Sequence, residues 1–342
     1  MAQLIFDKKR FSEKLKSYHE LFEIYYPCKV NSSQEIISCI NEVGDFFETD
    51  SLEMIHYLIK DFHVSPDRIL YNYLIRSKEQ IYEAVELGVR RFAVDSMDNV
   101  EQIEEYGKDF LYLIRLSIKN ILAQEFNGKL FDKWGTDIDS AHKIVEYIKT
   151  RTGSDLLGIS FYYPKEYNTY DRLLKTIEII KDEFCYLEDL SIDVGGGISL
   201  EQANRIAYTF KGQNIKFLIE PGRHLVGDCF NCICRVVDVK ERFGKKYAFL
   251  DVGIYSGFID TILKNHRFEF SLVEEHSKPV GLTEEIVLCG CTSDISDTFG
   301  IYEFPVGTIN QGTHLSINNC GAYCPEMYMR FAGHQLGKII IK

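Results

Sequence analysis

Positive charge is in short supply in this chain. Its 39 lysines and arginines face 51 aspartates and glutamates, a formal net charge of −12. That balance argues against a general nucleic-acid binder, because phosphate contacts need a basic surface. It says little about small substrates, which respond to local fields. No apolar run approaches membrane-spanning length. The opening stretch MAQLIFDKKRFSEK has no apolar core flanked by a small-residue cleavage site, so no secretory signal is visible and a cytoplasmic location is expected. Low-complexity tracts are missing too. The chain has 342 residues, 45% hydrophobic and 26% charged, enough core-forming material for one large folded domain or two ordinary ones.

The 10 cysteines do not form an obvious metal site. Cys229-x-x-Cys232 could be paired with a second cluster to argue for one. However, Cys232 and Cys234 alternate with Ile233 and Arg235 in a strand-like run and point to one face. Free cysteine packs as a small hydrophobe. Reduced, mostly buried thiols and no bound metal are therefore expected.

Residues 7–20 carry Phe11, Leu15 and Tyr18 at helical spacing. Strand candidates follow: the run from Phe22 that ends at Lys29, then 45–49, 68–75, 91–95, 110–117, 156–163, 187–194 and 215–220. Helical patterns lie between them at 79–86, 140–149 and 170–181. Strands alternating with helices imply parallel βαβ units, and about eight of them fit a (β/α)8 TIM-like barrel. A longer interval before residue 156 suggests an extra loop around 131–136. Past Arg223 the helical periodicity fades and short β-branched and aromatic runs appear at 232–239, 247–252, 286–289 and 313–317. The expected fold is α/β: a barrel over residues 8–225, then a C-terminal all-β domain over 226–342 that residues 1–7 could join.

Five stretches could bear chemistry. Lys29 ends an apolar run, where a buried ammonium is costly unless paired or neutralised. It reads either as a strand-end lysine reaching solvent or as a Schiff-base nucleophile at a barrel mouth. Asp193-Val194-Gly195-Gly196-Gly197 follows a strand and exposes backbone N–H groups that suit a phosphate. Leu200 stands five residues after Gly195, so this is not the dinucleotide fingerprint. Glu220-Pro221-Gly222-Arg223 follows the last barrel strand, on the face where barrels place active sites and phosphate sites. Residues 289–297 form a turn rich in small and acidic residues, and in 319–323 Gly321 and Ala322 let backbone approach closely while Tyr323 offers a hydroxyl. Each also has a structural reading, as a glycine turn, a surface ion pair, a solvated turn or a buried tyrosine.

YPCKVN, DVGGG, EPGR, CGCTSDISD and GAY occur in the order and rough spacing of the pyridoxal-phosphate-dependent ornithine/diaminopimelate/arginine decarboxylases. The sequence resembles that family, of fold type III with an alanine-racemase-like barrel, over nearly its whole length. The resemblance implies pyridoxal 5'-phosphate as cofactor and an amino-acid carboxy-lyase activity. It implies that Lys29 holds the cofactor and that Gly195, Gly196, Gly197, Gly222 and Arg223 cradle its phosphate, with Tyr323 as a further contact. Glu220 would partner the pyridine nitrogen, and Glu48, Ser51 and Arg115 would line the cofactor. Ser293 and Asp294 would act as catalytic residues on a loop reaching a neighbouring subunit's site, which makes the enzyme a homodimer with active sites at the interface.

A carboxylate beside the ring nitrogen favours its protonated form and a strong electron sink, so Glu220 speaks for decarboxylation. Desolvation is expected to lower the Lys29 pKa. Three departures from the family stand out. Tyr162 and Lys165 replace a ring-stacking histidine and a phosphate-binding serine. Ser293 replaces a proton-donating cysteine, for which Cys291 is the other candidate. Lys264, His266 and Arg267 stand where diamine-forming members carry an acid, so these three and Asp294 become candidate substrate contacts and the far end of the substrate is expected to be anionic. The full expectation is an α-decarboxylase of an amino acid or an amino-carboxyalkyl group on a larger, phosphate-bearing substrate. Such a step would belong to biosynthetic tailoring of, for example, a peptide–nucleotide antibiotic or a siderophore. The alternatives are an amino-acid racemase on the same fold and a non-catalytic regulatory relative.

Overall fold

The structure, a computed structural model, describes residues 2–121, 133–163, 169–273, 281–333 and 338–341. Its contacts group the chain into two units, Leu15–Lys29 with Gln34–His224, and Met1–Lys14 with Val30–Ser33 and Leu225–Lys342. Strand β1 (Gln3–Phe6) belongs to the second unit. The first holds β2 (Glu23–Pro27), β3 (Phe46–Thr49), β4 (Ile69–Tyr71), β5 (Arg91–Val94), β6 (Leu111–Arg115), β7 (Asp155–Ser160), β8 (Leu190–Asp193) and β9 (Ile215–Ile219). These eight are parallel, pair in chain order, and close through β9 against β2.

The strands read as near-continuous apolar runs because a parallel barrel buries both faces. Tyr25, Leu70, Leu113 and Leu218 form one interior layer, with Phe46 and Leu157 packed against it. Tyr25 stacks on Phe46 at 4.7 Å, and the Arg91 guanidinium also lies 4.7 Å from the Phe46 ring centre.

The helices between strands start where the sequence offers a cap. Ser51, Ser77, Ser96, Asp137, Thr169 and Ser199 each accept a hydrogen bond from a backbone N–H of the first turn. Ser77 with Gln80, and Ser199 with Gln202, close reciprocal capping boxes. The helices read from periodicity are found at Lys8–His19, Lys78–Glu86, Ile138–Arg151 and Tyr170–Glu183. Four more, Gln34–Val43, Leu52–Phe62, Met97–Glu104 and Leu200–Thr209, complete the alternation. Of the extra loop expected at 131–136, residues 131 and 132 lie outside the described residues, and Thr136 bridges to Leu116. Among the described residues no helix is long and apolar enough to cross a membrane.

The second unit is built on a mostly antiparallel sheet. Its strands are β10 (Phe230–Arg242), β11 (Lys245–Leu250), β12 (Phe270–Leu272), β13 (Thr283–Cys289), β14 (Thr298–Pro305), β15 (His314–Ile317) and β16 (Lys338–Ile341). The order is β12-β15-β10-β11-β13-β14, and β1 pairs with both β10 and β16. Cys232 and Cys234 do alternate inward along β10 and are buried. All ten cysteines are free thiols. Burial pushes the Cys232 and Cys320 thiols well up, so they stay protonated and pack as apolar groups.

The turn between β13 and β14 hangs on one buried carboxylate. Asp297 accepts from Ile254 N (2.6 Å), Thr292 N (2.9 Å) and Thr292 Oγ1 (2.7 Å). A Cβ at Gly253 or Gly290 would fall 2.3 or 2.0 Å from its Oδ1, so only glycine fits either place. Asp297→Ala leaves three donors unpaired and is expected to cost roughly 3 kcal/mol of stability. Urea unfolding tests this, and a loss below about 1 kcal/mol would contradict the role.

Candidate active site

The site assembles at the C-terminal ends of the barrel strands, the end where barrels place their chemistry. Pro27 pairs with Glu48 across β2 and β3. Having no N–H, Pro27 cannot extend the ladder as a donor, and the chain turns into a short 3-10 segment, Cys28–Val30. The strand therefore stops before Lys29 instead of ending on it. This turn sets the Lys29 ammonium 3.1 Å from Glu48 Oε1 and 3.7 Å from Asp50 Oδ2. Glu48 is fully buried. Glu220 follows β9, its backbone N–H donating to Gly195 O (3.1 Å), and its Oε1 accepts from Asn72 Nδ2 (3.0 Å). Asp193 ends β8, and its Oδ1 accepts from Gly195 N (2.8 Å). Arg115 ends β6, and its guanidinium lies 5.7 Å from the centre of the Tyr162 ring.

Four carboxyls, Glu48, Asp50, Asp193 and Glu220, thus surround two cations, Lys29 and Arg115. Burial pushes Glu48 up to about 7, with the Lys29 charge opposing it. Burial and then the Asp193 charge push Glu220 up to about 8, against Lys29 and Arg115. Burial raises Asp193 as well, held back by the Gly195 N–H. The expected lowering of the Lys29 pKa is corrected. Desolvation does pull it down, but the charges of Glu48, Glu220 and Asp50 together outweigh it, and the pKa stands above its ordinary value.

The triglycine turn is shaped by close approach. Gly195 has φ +69°, and a Cβ there would lie 2.7 Å from Phe161 O. At Gly196 a Cβ would come within 3.1 Å of Glu220 O. The turn presents bare backbone to whatever docks on it, as phosphate sites do. The N–H of Gly195 is already given to Asp193, so this residue shapes the cradle and is not a donor. Gly222 is buried, and Arg223 opens the short helix Arg223–Val226. Gly195→Ala is strained by its φ and clashes with Phe161 O. It is expected to weaken retention of the cofactor about tenfold or more. An absorbance titration with pyridoxal phosphate reads this; unchanged affinity would remove the turn from the site.

Most of the remaining candidates belong to the β unit and are described within it. Ser293 is exposed and Asp294 half-buried on the turn fixed by Asp297. Asp294 hydrogen-bonds Tyr255 and helps raise its pKa, after burial. Cys291 is half-buried, and burial followed by the Asp297 charge raises its thiol pKa. Tyr323 sits at φ 68° and its N–H donates to Val30 O (2.7 Å). Lys264 is paired with Asp260 (3.1 Å) and lies 5.1 Å from the Tyr323 ring centre. Arg267 covers the Tyr302 ring at 4.3 Å and donates to Ile301 O. His266 packs edge-on to Phe268 at 4.5 Å. All three basic residues thus have structural contacts of their own. Ser51 caps the helix Leu52–Phe62, and Lys165 lies outside the described residues.

Sequence reasoning missed Asn72 and Asp50 and gave Asp193 no role of its own. The available signal was position: each follows or ends a barrel strand on the same face as Lys29.

These residues fit pyridoxal phosphate. The buried oxygens Glu48 Oε2 and Asp193 Oδ2 have no partner among the described residues. The excess of acid at the mouth suits a group with a protonatable nitrogen, and the turn that excludes a Cβ suits a phosphate. Comparison with known proteins agrees. The profile of the pyridoxal-dependent decarboxylases, pyridoxal binding domain, matches residues 7–227. Ornithine decarboxylase 2 of Drosophila melanogaster is 25% identical over 96% of this chain and 88% of its own. Antizyme inhibitor 2 of Xenopus laevis is 22% identical over 91% of this chain and 74% of its own. The arginine decarboxylase of Paramecium bursaria Chlorella virus superposes over 100% of this chain and 96% of its own, with TM-score 0.85 and 20% identity. The chain therefore belongs to the pyridoxal-dependent decarboxylases, carboxy-lyases that work on amino acids with pyridoxal phosphate as cofactor.

Proposed function

We propose that this enzyme removes the α-carboxylate from an amino acid, or from an amino-carboxyalkyl group on a larger molecule, at the mouth of the barrel. The observation that carries the reading is the Lys29 amine 3.1 Å from buried Glu48 and acted on by the charge of buried Glu220. Bound pyridoxal phosphate supplies the electron sink for the pair left behind by departing CO2. Glu48 orients the Lys29 side chain through Oε1. Glu220, near neutral pH, holds a proton that it can give to a basic nitrogen beside it. Gly196, Gly197, Gly222 and Arg223 are the proposed phosphate contacts, with Gly195 shaping the turn that presents them, and Tyr162 is the proposed stacking ring.

The proposed substrate carries an anionic far end such as a phosphate. The run Lys264, His266, Arg267 supports this by its charge: Lys264, although paired with Asp260, keeps about half of its side chain exposed (53%), whereas Arg267 and His266 are laid against Tyr302 and Phe268. The step would be a tailoring one, for example in assembling a peptide–nucleotide antibiotic or a siderophore, in a cytoplasmic homodimer whose Ser293–Asp294 loop completes the neighbouring site. An acid, not a cation, at Glu220 favours decarboxylation over racemisation. The acid-ringed amine favours catalysis over the regulatory role that the name of the Xenopus relative suggests.

Assaying released CO2 over ornithine, lysine, arginine, diaminopimelate and phosphate-bearing amino-carboxyalkyl conjugates tests the reading. Faster turnover of the conjugates is expected. A preference for ornithine or lysine overturns the anionic-tail proposal, and no CO2 from any member overturns the decarboxylase reading of the site.

A further inference from the structure

Glu220 does not stand free in the ring of charges around it. Its Oε1 accepts a hydrogen bond from Asn72 Nδ2 at 3.0 Å. The two residues are 148 positions apart, and in the barrel β2 and β3 lie between their strands. A contact between them can only be made across the open mouth. The backbone under Asn72 is held for that reach. Its N–H donates to Thr49 O at 2.8 Å, which carries the β3–β4 pairing one residue beyond β4. On its other side Arg76, buried, donates to Tyr71 O (3.1 Å) and Ala93 O (2.6 Å) and ties the outgoing loop to β4 and β5.

We propose that Asn72 is a positioning residue for Glu220: its amide fixes Oε1 as the accepting oxygen and leaves Oε2 to carry the exchangeable proton. The proposal rests on the reading of Glu220 as the acid of the reaction. A carboxyl has two equivalent oxygens and a soft terminal torsion. A donor directed at one oxygen leaves the other to hold the proton that the carboxyl shares with Asp193. An amide N–H also favours the ionised form of the carboxyl it touches, and so works against the neighbours that raise Glu220. Those facing it are Asp193 from β8, whose carboxyl shares a hydrogen bond with that of Glu220 and so takes up the proton Glu220 holds, and Glu48 from β3, with Lys29 from the turn after β2 and Arg115 from β6 opposing them. Asn72 is the uncharged member of the set. It can tune the acid without adding a charge to a mouth already rich in carboxyls.

The test uses the holoenzyme and two variants. Asn72→Leu removes the donor at similar volume. Its kcat is expected to fall about tenfold with KM little changed, the worth of one hydrogen bond to an ionisable group. The pH midpoint of the bound cofactor's absorbance should move upward. Asn72→Asp puts a second carboxyl against Oε1. When that carboxyl is ionised it repels Glu220, and when protonated it can donate. The variant is therefore expected to lose activity toward neutral pH and to regain it on acidification, a recovery the wild type does not show. Variants that bind cofactor yet keep the wild-type midpoint and pH profile overturn the positioning role alone. A wild-type chain that takes up no pyridoxal phosphate overturns the reading of Glu220, and this inference with it.

Discussion

Lys29→Ala is expected to lower CO2 release by more than about 10³-fold and to abolish the visible absorbance of bound pyridoxal phosphate. The argument is local. The Lys29 amine lies 3.1 Å from Glu48 Oε1 and within the influence of the Glu220 charge. Alanine removes both the amine and the charge, so the variant alone does not say which of them matters. Lys29→Arg separates them, because a guanidinium keeps the pairing with Glu48 but stays protonated and offers no nucleophile. Both variants should fail alike. Turnover retained in Lys29→Arg would make Lys29 a binding charge and nothing more. Fold loss is not expected to confuse the result. Once its cation is gone, buried Glu48 can take a proton, and its pKa already stands near 7.

Much of this site could be read from the sequence because its chemistry is written in contiguous residues. A lysine closing an apolar run, three glycines after a strand, and Glu-Pro-Gly-Arg after another are local patterns. What could not be read depends on neighbours far apart in the chain. Asn72 meets Glu220 only after a barrel closes, and the stretch 68–75 looks like one long strand until Arg76 bonds to strand carbonyls and bends it away after Tyr71. The sign of the Lys29 shift failed for the same reason. Desolvation can be guessed from an apolar run, but the outcome belongs to Glu48, Asp50 and Glu220, which come from two other strands. In the β unit, β1 and β16 are four residues each and are strands because each pairs with the other and β1 with β10. Thr298–Pro305 carries an alternation of its own, but it follows directly on a turn rich in polar residues that hides where β14 starts. Basic residues at 264–267 suggested an anion by composition alone; only contacts show Arg267 laid over Tyr302.

Glu220→Gln should separate binding from chemistry. Glutamine matches the shape, keeps an oxygen to accept from Asn72, and leaves the glycine turn untouched. Cofactor uptake is therefore expected to survive. The variant cannot, however, hold or give a proton at the second oxygen, and CO2 release should drop by about 10²-fold or more, the scale of removing one preorganised group from a reacting centre. Turnover within about threefold of wild type would end the assignment of Glu220 as the acid. Stability should move the other way. Glu220 and Glu48 have folded pKa values raised to about 8 and about 7 from ordinary values of 4.5. The folded chain then binds more protons than the unfolded chain between those limits, so their contribution is full below about pH 4.5 and is lost as pH rises toward 8. In the cofactor-free protein Tm should fall over that window. Glu220→Gln has one fewer group to ionise in a buried, acid-rich mouth, so its Tm should fall less steeply and lie above that of wild type at pH 8. Parallel Tm curves for the two proteins would mean that Glu220 is as well solvated folded as unfolded, and that the ring of carboxyls does not hold its proton.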